Sequence, residues 1–209
     1  MCNTSPFPLI IMSWFLTSGS VTKNGRKITE INGLKFLDEY VIPYNKHFDN
    51  TTVGGLSGID YDSKKGVYYL ICDDRSDKNP PKFYTVNIEI TKNKIDTVIF
   101  LETIFLKDKV GNFYPNSQQN PSHTPDPEAM RFNSQNNTFI WSSEGERIVN
   151  NQQTVLENPA ITEINTTGNY IDTFQIPWQF HMQATENGPR QNGVFEGVTF
   201  ADSSTLVSA

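Results

Sequence analysis

Carboxylates recur at matching places along this 209-residue chain. Glu128 and Glu196 each open a short apolar and aromatic word, while Asp73, Asp74 and Glu144 each close an apolar run. Acids gathered on one surface repel one another, so either their pKa values rise or a cation neutralises them. Calcium suits such a set, because it takes about six to eight oxygen ligands in flexible geometry, whereas zinc wants His or Cys and magnesium a stricter octahedron. Asp74, Glu128, Glu144 and Glu196 are therefore candidate Ca2+ ligands, and Glu128, Glu144 and Glu196 candidate catalytic groups. The bland alternative is a set of solvated turn residues, which Asp73-Asp74-Arg75-Ser76-Asp77 and Asp126-Pro127 would suit. Recurrence at equivalent positions is what turn chemistry does not demand.

Arginines accompany the acids: Arg75 follows Asp74, Arg131 lies three residues after Glu128, and Arg190 precedes Glu196. A planar guanidinium grips a phosphate through two parallel hydrogen bonds, so Arg75, Arg131 and Arg190, with Asn192, are candidate substrate-binding residues. Pairing of each Arg with its neighbouring acid is the competing reading. Other motifs are weak. Gly54-Gly55-Leu56-Ser57-Gly58 lacks the second glycine of a nucleophile elbow, since Ile59 stands there. His47, His123 and His181 lack the spacing of a helical zinc site.

The elements that must position these groups repeat. Ser57-Gly-Ile-Asp-Tyr61, Glu128-Ala-Met-Arg-Phe132 and Glu196-Gly-Val-Thr-Phe200 share a polar first residue, a small second, an apolar third and an aromatic fifth, with starts 71 and 68 residues apart. A second apolar run ending in acid follows the first two, at Val67 to Asp74 and Thr138 to Glu144. Two further β-branched and aromatic runs follow in each, at Lys82 to Ile90 and Ile95 to Leu106, then Ala160 to Asn165 and Tyr170 to Pro177. The sequence thus predicts an all-β chain with four-stranded antiparallel units over 57–106 and 128–177 and a third unit starting at 196. Units of this length match blades of a β-propeller, about 40 to 50 residues each.

A ring needs about four to eight blades, so the expectation is an incomplete propeller belonging to a longer protein. The alternative is a short product that pairs its edges with a partner. Leu34 to Ile42 could close the ring with the last blade. In each unit the start of the first strand and the end of the second share a rim, which is where the acids sit. The linkers 107–127 and 178–195 arch over that rim and carry His123, Asp126, His181, Arg190 and Asn192.

Lys+Arg 17 against Asp+Glu 23 leaves a net charge of −6, which offers no basic face to a nucleic acid. Aromatic residues at 12% exclude a disordered chain, and 21 asparagines favour many short elements joined by turns. Phe7 to Leu16 is an apolar run followed by Ser18, Gly19 and Ser20. It is too short for a membrane span of about 20 residues but fits the core of an export signal over 1–20. A buried or interfacial start is the alternative. Cys2 would leave with the signal, and Cys72 sits in an apolar run, so no disulfide framework is expected.

Six words, in this order, carry a family resemblance: Gly54-Gly-Leu-Ser-Gly-Ile-Asp-Tyr-Asp62, Cys72-Asp-Asp-Arg-Ser76 with Phe83-Tyr84, Asp126-Pro-Glu-Ala-Met-Arg131, Ser142-Ser-Glu-Gly145, Pro189-Arg-Gln-Asn192 and Phe195-Glu-Gly-Val-Thr-Phe200. From about Leu34 to its end the chain resembles the phytase-like family, described as having esterase-like activity of phytase. Ala129 stands where the family prefers Gly, and the resemblance implies a domain whose carboxyl-terminal half is missing here. The resemblance implies a partial phytase-like propeller over 21–209, in a secreted, periplasmic or cell-surface protein that is monomeric at full length and acts on a phosphorylated small molecule or other phosphoester. Two functions fit: a calcium-dependent phosphoesterase, or a non-catalytic calcium-stabilised propeller that binds a glycan, a phospholipid headgroup or a protein over the same loops.

Overall fold

A computed structural model describes residues 10–23, 26–185, 187–202 and 205–209, with side chains from residue 32 onward. Residues 1–9, which hold Cys2 and the start of the apolar run, lie outside the described residues. The chain is all-β, with single 3-10 turns at Pro121–His123 and Trp178–Phe180 as the helical elements among the described residues.

Strands β1 (Ile10–Lys23) and β2 (Arg26–Val41) form an antiparallel hairpin with Trp14 opposite Phe36 and Leu16 opposite Leu34. The segment expected to close the ring with the last blade is thus paired locally. Its register is interrupted at two bulges, Met12/Trp14 and Leu16/Ser18. The short strands β3 (His47–Phe48) and β4 (Thr51–Thr52) follow.

Next come two meanders in the expected places. Strands β5 (Leu56–Asp62), β6 (Val67–Cys72), β7 (Lys82–Thr91) and β8 (Lys94–Phe105) form one four-stranded sheet in sequential order. The second uses β9 (Pro127–Asn133), β10 (Thr138–Ser143), β13 (Ala160–Asn165) and β14 (Tyr170–Thr173). Between its second and third strands lies a hairpin that the repeat comparison does not reveal, β11 (Glu146–Val149) with β12 (Thr154–Glu157). The third word begins β15 (Val198–Phe200), paired with β16 (Leu206–Ser208). By contact density, β1, β2 and the Ile88–Ile99 part of the β7–β8 hairpin form one unit, and the other strands a second.

Alternating side chains give the second sheet two apolar faces, as a sheet packed on both sides requires. Phe139, Trp141 and Ile164 on one face bury against Tyr69, Ile71, Phe83, Ile104 and Leu106 of the first sheet. Ile140 and Ile161 on the other face bury with Val194, Phe195 and Val198 before and within β15. Aromatic edges lock the first contact: Tyr69 meets Phe139 at 4.6 Å between centroids, nearly perpendicular.

The small residue that recurs second in each repeat has a steric reason. A Cβ on Gly58 would stand 3.4 Å from the Ala129 Cα and 3.4 Å from the Glu128 carbonyl oxygen, because the opening strands of adjacent sheets run against each other there. Cys72, at the end of β6, is fully buried and free.

Candidate functional site

Strand register delivers the acids to one place. Leu56 lies opposite Cys72 and Pro127 opposite Ser143, so the start of each first strand and the end of each second strand are neighbours. Asp73 follows β6, Asp126 and Glu128 bracket the first residue of β9, Glu144 follows β10, and Glu196 precedes β15. One carboxylate oxygen from each of Asp73, Asp126 and Glu128 lies within 4.8 Å of the other two, and the same holds for Glu128, Glu144 and Glu196. Glu128 belongs to both groups.

Local backbone features hold these side chains in place. Gly55 adopts φ +55°, and a Cβ there would come 2.5 Å from the Asp73 carbonyl oxygen, so only glycine lets the chain pass beside Asp73. The buried hydroxyls of Ser143 and Ser142 accept the N–H groups of Asp126 and Ala129 at 3.0 and 3.1 Å. The Asp126 carbonyl accepts the Glu144 N–H at 3.1 Å. From the loop before β15, the Gly193 N–H donates to Glu144 Oε2 at 2.8 Å.

Crowding perturbs the acids. Glu128, 8% exposed, is pushed up to about 9, first by burial and then by Asp73 and Glu144. Asp126 rises to about 8 through burial and the Asp73 charge, with the Arg75 guanidinium opposing. Glu144 and Asp73 rise as well, burial being the first cause for each. Asp126 Oδ1 is buried without a hydrogen-bond partner. A carboxylate oxygen so placed needs a proton or a cation. The donors are carboxylate oxygens throughout, with no Cys or His among them, so the set fits a hard divalent cation and not zinc.

The other sequence candidates are distributed differently. Asp74, expected as a ligand, turns away from both groups: its Oδ2 accepts from Lys82 Nζ at 3.1 Å, and its Oδ1 accepts the Asp77 N–H at 3.0 Å. The ammonium of Lys82 is wholly buried and claims that charge, so Asp73 takes the place expected of Asp74. The repeat offset of 71 residues already aligns Asp73, not Asp74, with Glu144. Arg75 pairs with Glu146, lies 3.6 Å from Asp126 Oδ2 and donates to the Thr124 carbonyl at 3.3 Å, so it anchors acids where a phosphate grip was expected. Arg131 donates to the Ile59 and Met130 carbonyls at 2.9 Å, bridging β5 and β9 away from the acids. Arg190 and Asn192 lie exposed on the loop that leads to Glu196. Glu146, which also accepts from Gln191 at 2.8 Å, carried no sequence signal because it sits in the inserted hairpin.

An all-β chain that gathers carboxylates from successive sheets at one set of strand ends is, as a class, a sheet protein with a candidate cation centre. A family model described as Phytase-like, esterase-like activity of phytase, matches residues 51–209, and the chain belongs to that family. No curated protein and no solved structure matches it.

Proposed function

We propose that this chain carries the acidic rim of a calcium-dependent phosphoester hydrolase built on a β-propeller. The observation that carries the reading is the convergence of Asp73, Asp126, Glu128, Glu144 and Glu196 in two overlapping groups, one of which contains a buried oxygen without a partner. Face-to-face stacking of successive four-stranded sheets supports the propeller, and the family's description supports a hydrolase.

Asp73, Asp126 and Glu128 would hold one cation, and Glu128, Glu144 and Glu196 a second. Bound there, a divalent cation supplies polarisation of a phosphoryl oxygen and acidifies water. Glu144, oriented by the Gly193 N–H, is the carboxylate best fixed to take a proton from attacking water. Arg75 keeps Asp126 in place through its contacts with Glu146 and Thr124. Arg190 and Asn192, exposed on the loop that leads to Glu196, would present the polar groups a phosphoester meets first. The apolar run at Phe7 to Leu16 supports export of the protein.

Hydrolysis of p-nitrophenyl phosphate and its diester, measured with added Ca2+ and again with a chelator, tests this reading. We expect calcium-dependent turnover that falls roughly a hundredfold or more in Glu144→Gln with folding retained. Calcium-dependent melting without hydrolysis of either ester would instead support a binding propeller that uses the cation structurally.

A further inference from the structure

Glu146 belongs to neither acidic group, yet it is 6% exposed and both of its oxygens are committed. Oε2 pairs with Arg75, and that arm leads on to Asp126. Oε1 accepts the Arg147 N–H at 2.9 Å and the side-chain amide of Gln191 at 2.8 Å. This second arm leads to Glu144, because Gln191 stands two residues before Gly193, whose N–H donates to Glu144 Oε2 at 2.8 Å.

The turn that carries Gly193 is tied on both sides. Downstream, Val194 and Phe195 are buried with Ile140 and Ile161, which fixes the end of the loop. Upstream, Arg190 to Gly193 are exposed, and the Gln191–Glu146 hydrogen bond ties them to the β11–β12 hairpin. A Cβ on Gly193 would stand 3.9 Å from Glu196 Oε1, so the turn passes beside Glu196 as well as Glu144. With its upstream end free, this exposed turn could swing the N–H away from Glu144. The Gln191 anchor removes that freedom before any ligand arrives.

We propose that Gln191 is a positioning residue for Glu144: held by Glu146, it keeps the Gly193 N–H on Glu144 Oε2 and so fixes that carboxylate. Its effect on turnover rests on the hydrolase reading above, in which Glu144 takes a proton from water. Glu146 thereby serves both acidic groups, one through Arg75 and the other through Gln191. What position 191 must supply is a donor, since the group it meets is a carboxylate. Lysine supplies one, alanine supplies none, and glutamate would repel Glu146.

Amide hydrogen exchange at Gly193, followed by NMR in the intact chain, reads the contact. Gly193 is exposed, so protection of its N–H reports the bond to Glu144. Gln191→Ala should speed that exchange about tenfold, as loss of a hydrogen bond to a charged acceptor does, and leave the denaturation midpoint unchanged. Gln191→Lys should restore protection, and Gln191→Glu should not. In Ca2+-supported hydrolysis of p-nitrophenyl phosphate, Gln191→Ala should lower kcat about tenfold at constant KM, with recovery in Gln191→Lys. The inference is overturned if Gly193 exchanges in Gln191→Ala as in the parent, if Gln191→Glu protects it as well as Gln191→Lys, or if the midpoint falls together with the protection. It is overturned too if the parent turns over and Gln191→Ala keeps the parent kcat. A parent that hydrolyses neither ester, while Gly193 responds to Gln191→Ala, would remove the hydrolase reading and uphold the positioning of Glu144.

Discussion

Two adjacent aspartates do opposite work. Asp73 faces the acidic groups, whereas Asp74 neutralises a lysine that has no access to water. Removing one partner of a buried pair costs about 3–5 kcal/mol, because the remaining charge is left uncompensated. Asp74→Ala should therefore lower stability in chemical denaturation by about that amount while leaving Ca2+ affinity nearly intact. Asp73→Asn should do the reverse, weakening Ca2+ binding in a calorimetric titration while raising the midpoint of the calcium-free protein, because it removes a charge that Asp126 and Glu128 repel. Equal loss of Ca2+ affinity in both variants would return Asp74 to the ligand set.

Turns and close approaches decide whether whole elements reach the rim. Gly145, at φ +82°, follows Glu144, and a side chain there would meet the Glu157 carbonyl of the inserted hairpin. Gly145→Ala should cost about 1–2 kcal/mol from the left-handed backbone alone and more from that contact, and should also displace Glu144. Gly58→Val tests the packing of β5 against β9: a side chain forced between those strands should cost about 1–3 kcal/mol, read as a lower denaturation midpoint. Ala129 occupies the equivalent place one repeat later and is 5% exposed, which shows how little room the meeting strands leave. Trimming the β11–β12 hairpin removes Glu146, the partner of Arg75, and with it the anchor on Asp126.

Charge couples the acidic rim to the stability of the whole chain. Burial and the Asp73 charge push Asp126 up to about 8 and Glu128 up to about 9 in the cation-free fold, from ordinary values of 3.8 and 4.5. Between the ordinary values and the raised ones the folded state binds more protons than the unfolded state, so stability must fall as pH climbs through that window. A cation held by these carboxylates would replace those protons. The melting temperature of the chelated protein should drop from pH 5 to pH 9, and added Ca2+ should raise it more at pH 8 than at pH 5. A chelated protein that melts at one temperature across this range would contradict the crowding of these carboxyls.

The strands of the two four-stranded sheets were legible in the sequence, because period-two alternation and a repeat near 70 residues are local properties of the chain, whereas β1 and the β11–β12 hairpin lie outside that repeat. The acids at 128, 144 and 196 were legible for the same reason, since register places strand starts and strand ends side by side. The 71-residue offset marks Asp73 as the counterpart of Glu144, but that Asp74 is taken up by the buried ammonium of Lys82 is visible only once β7 is in place. The roles of Arg75 and Arg131 and the inserted hairpin's supply of Glu146 are likewise tertiary. Each depends on groups far apart along the chain competing for one partner in space, and that competition is settled only when the sheets pack.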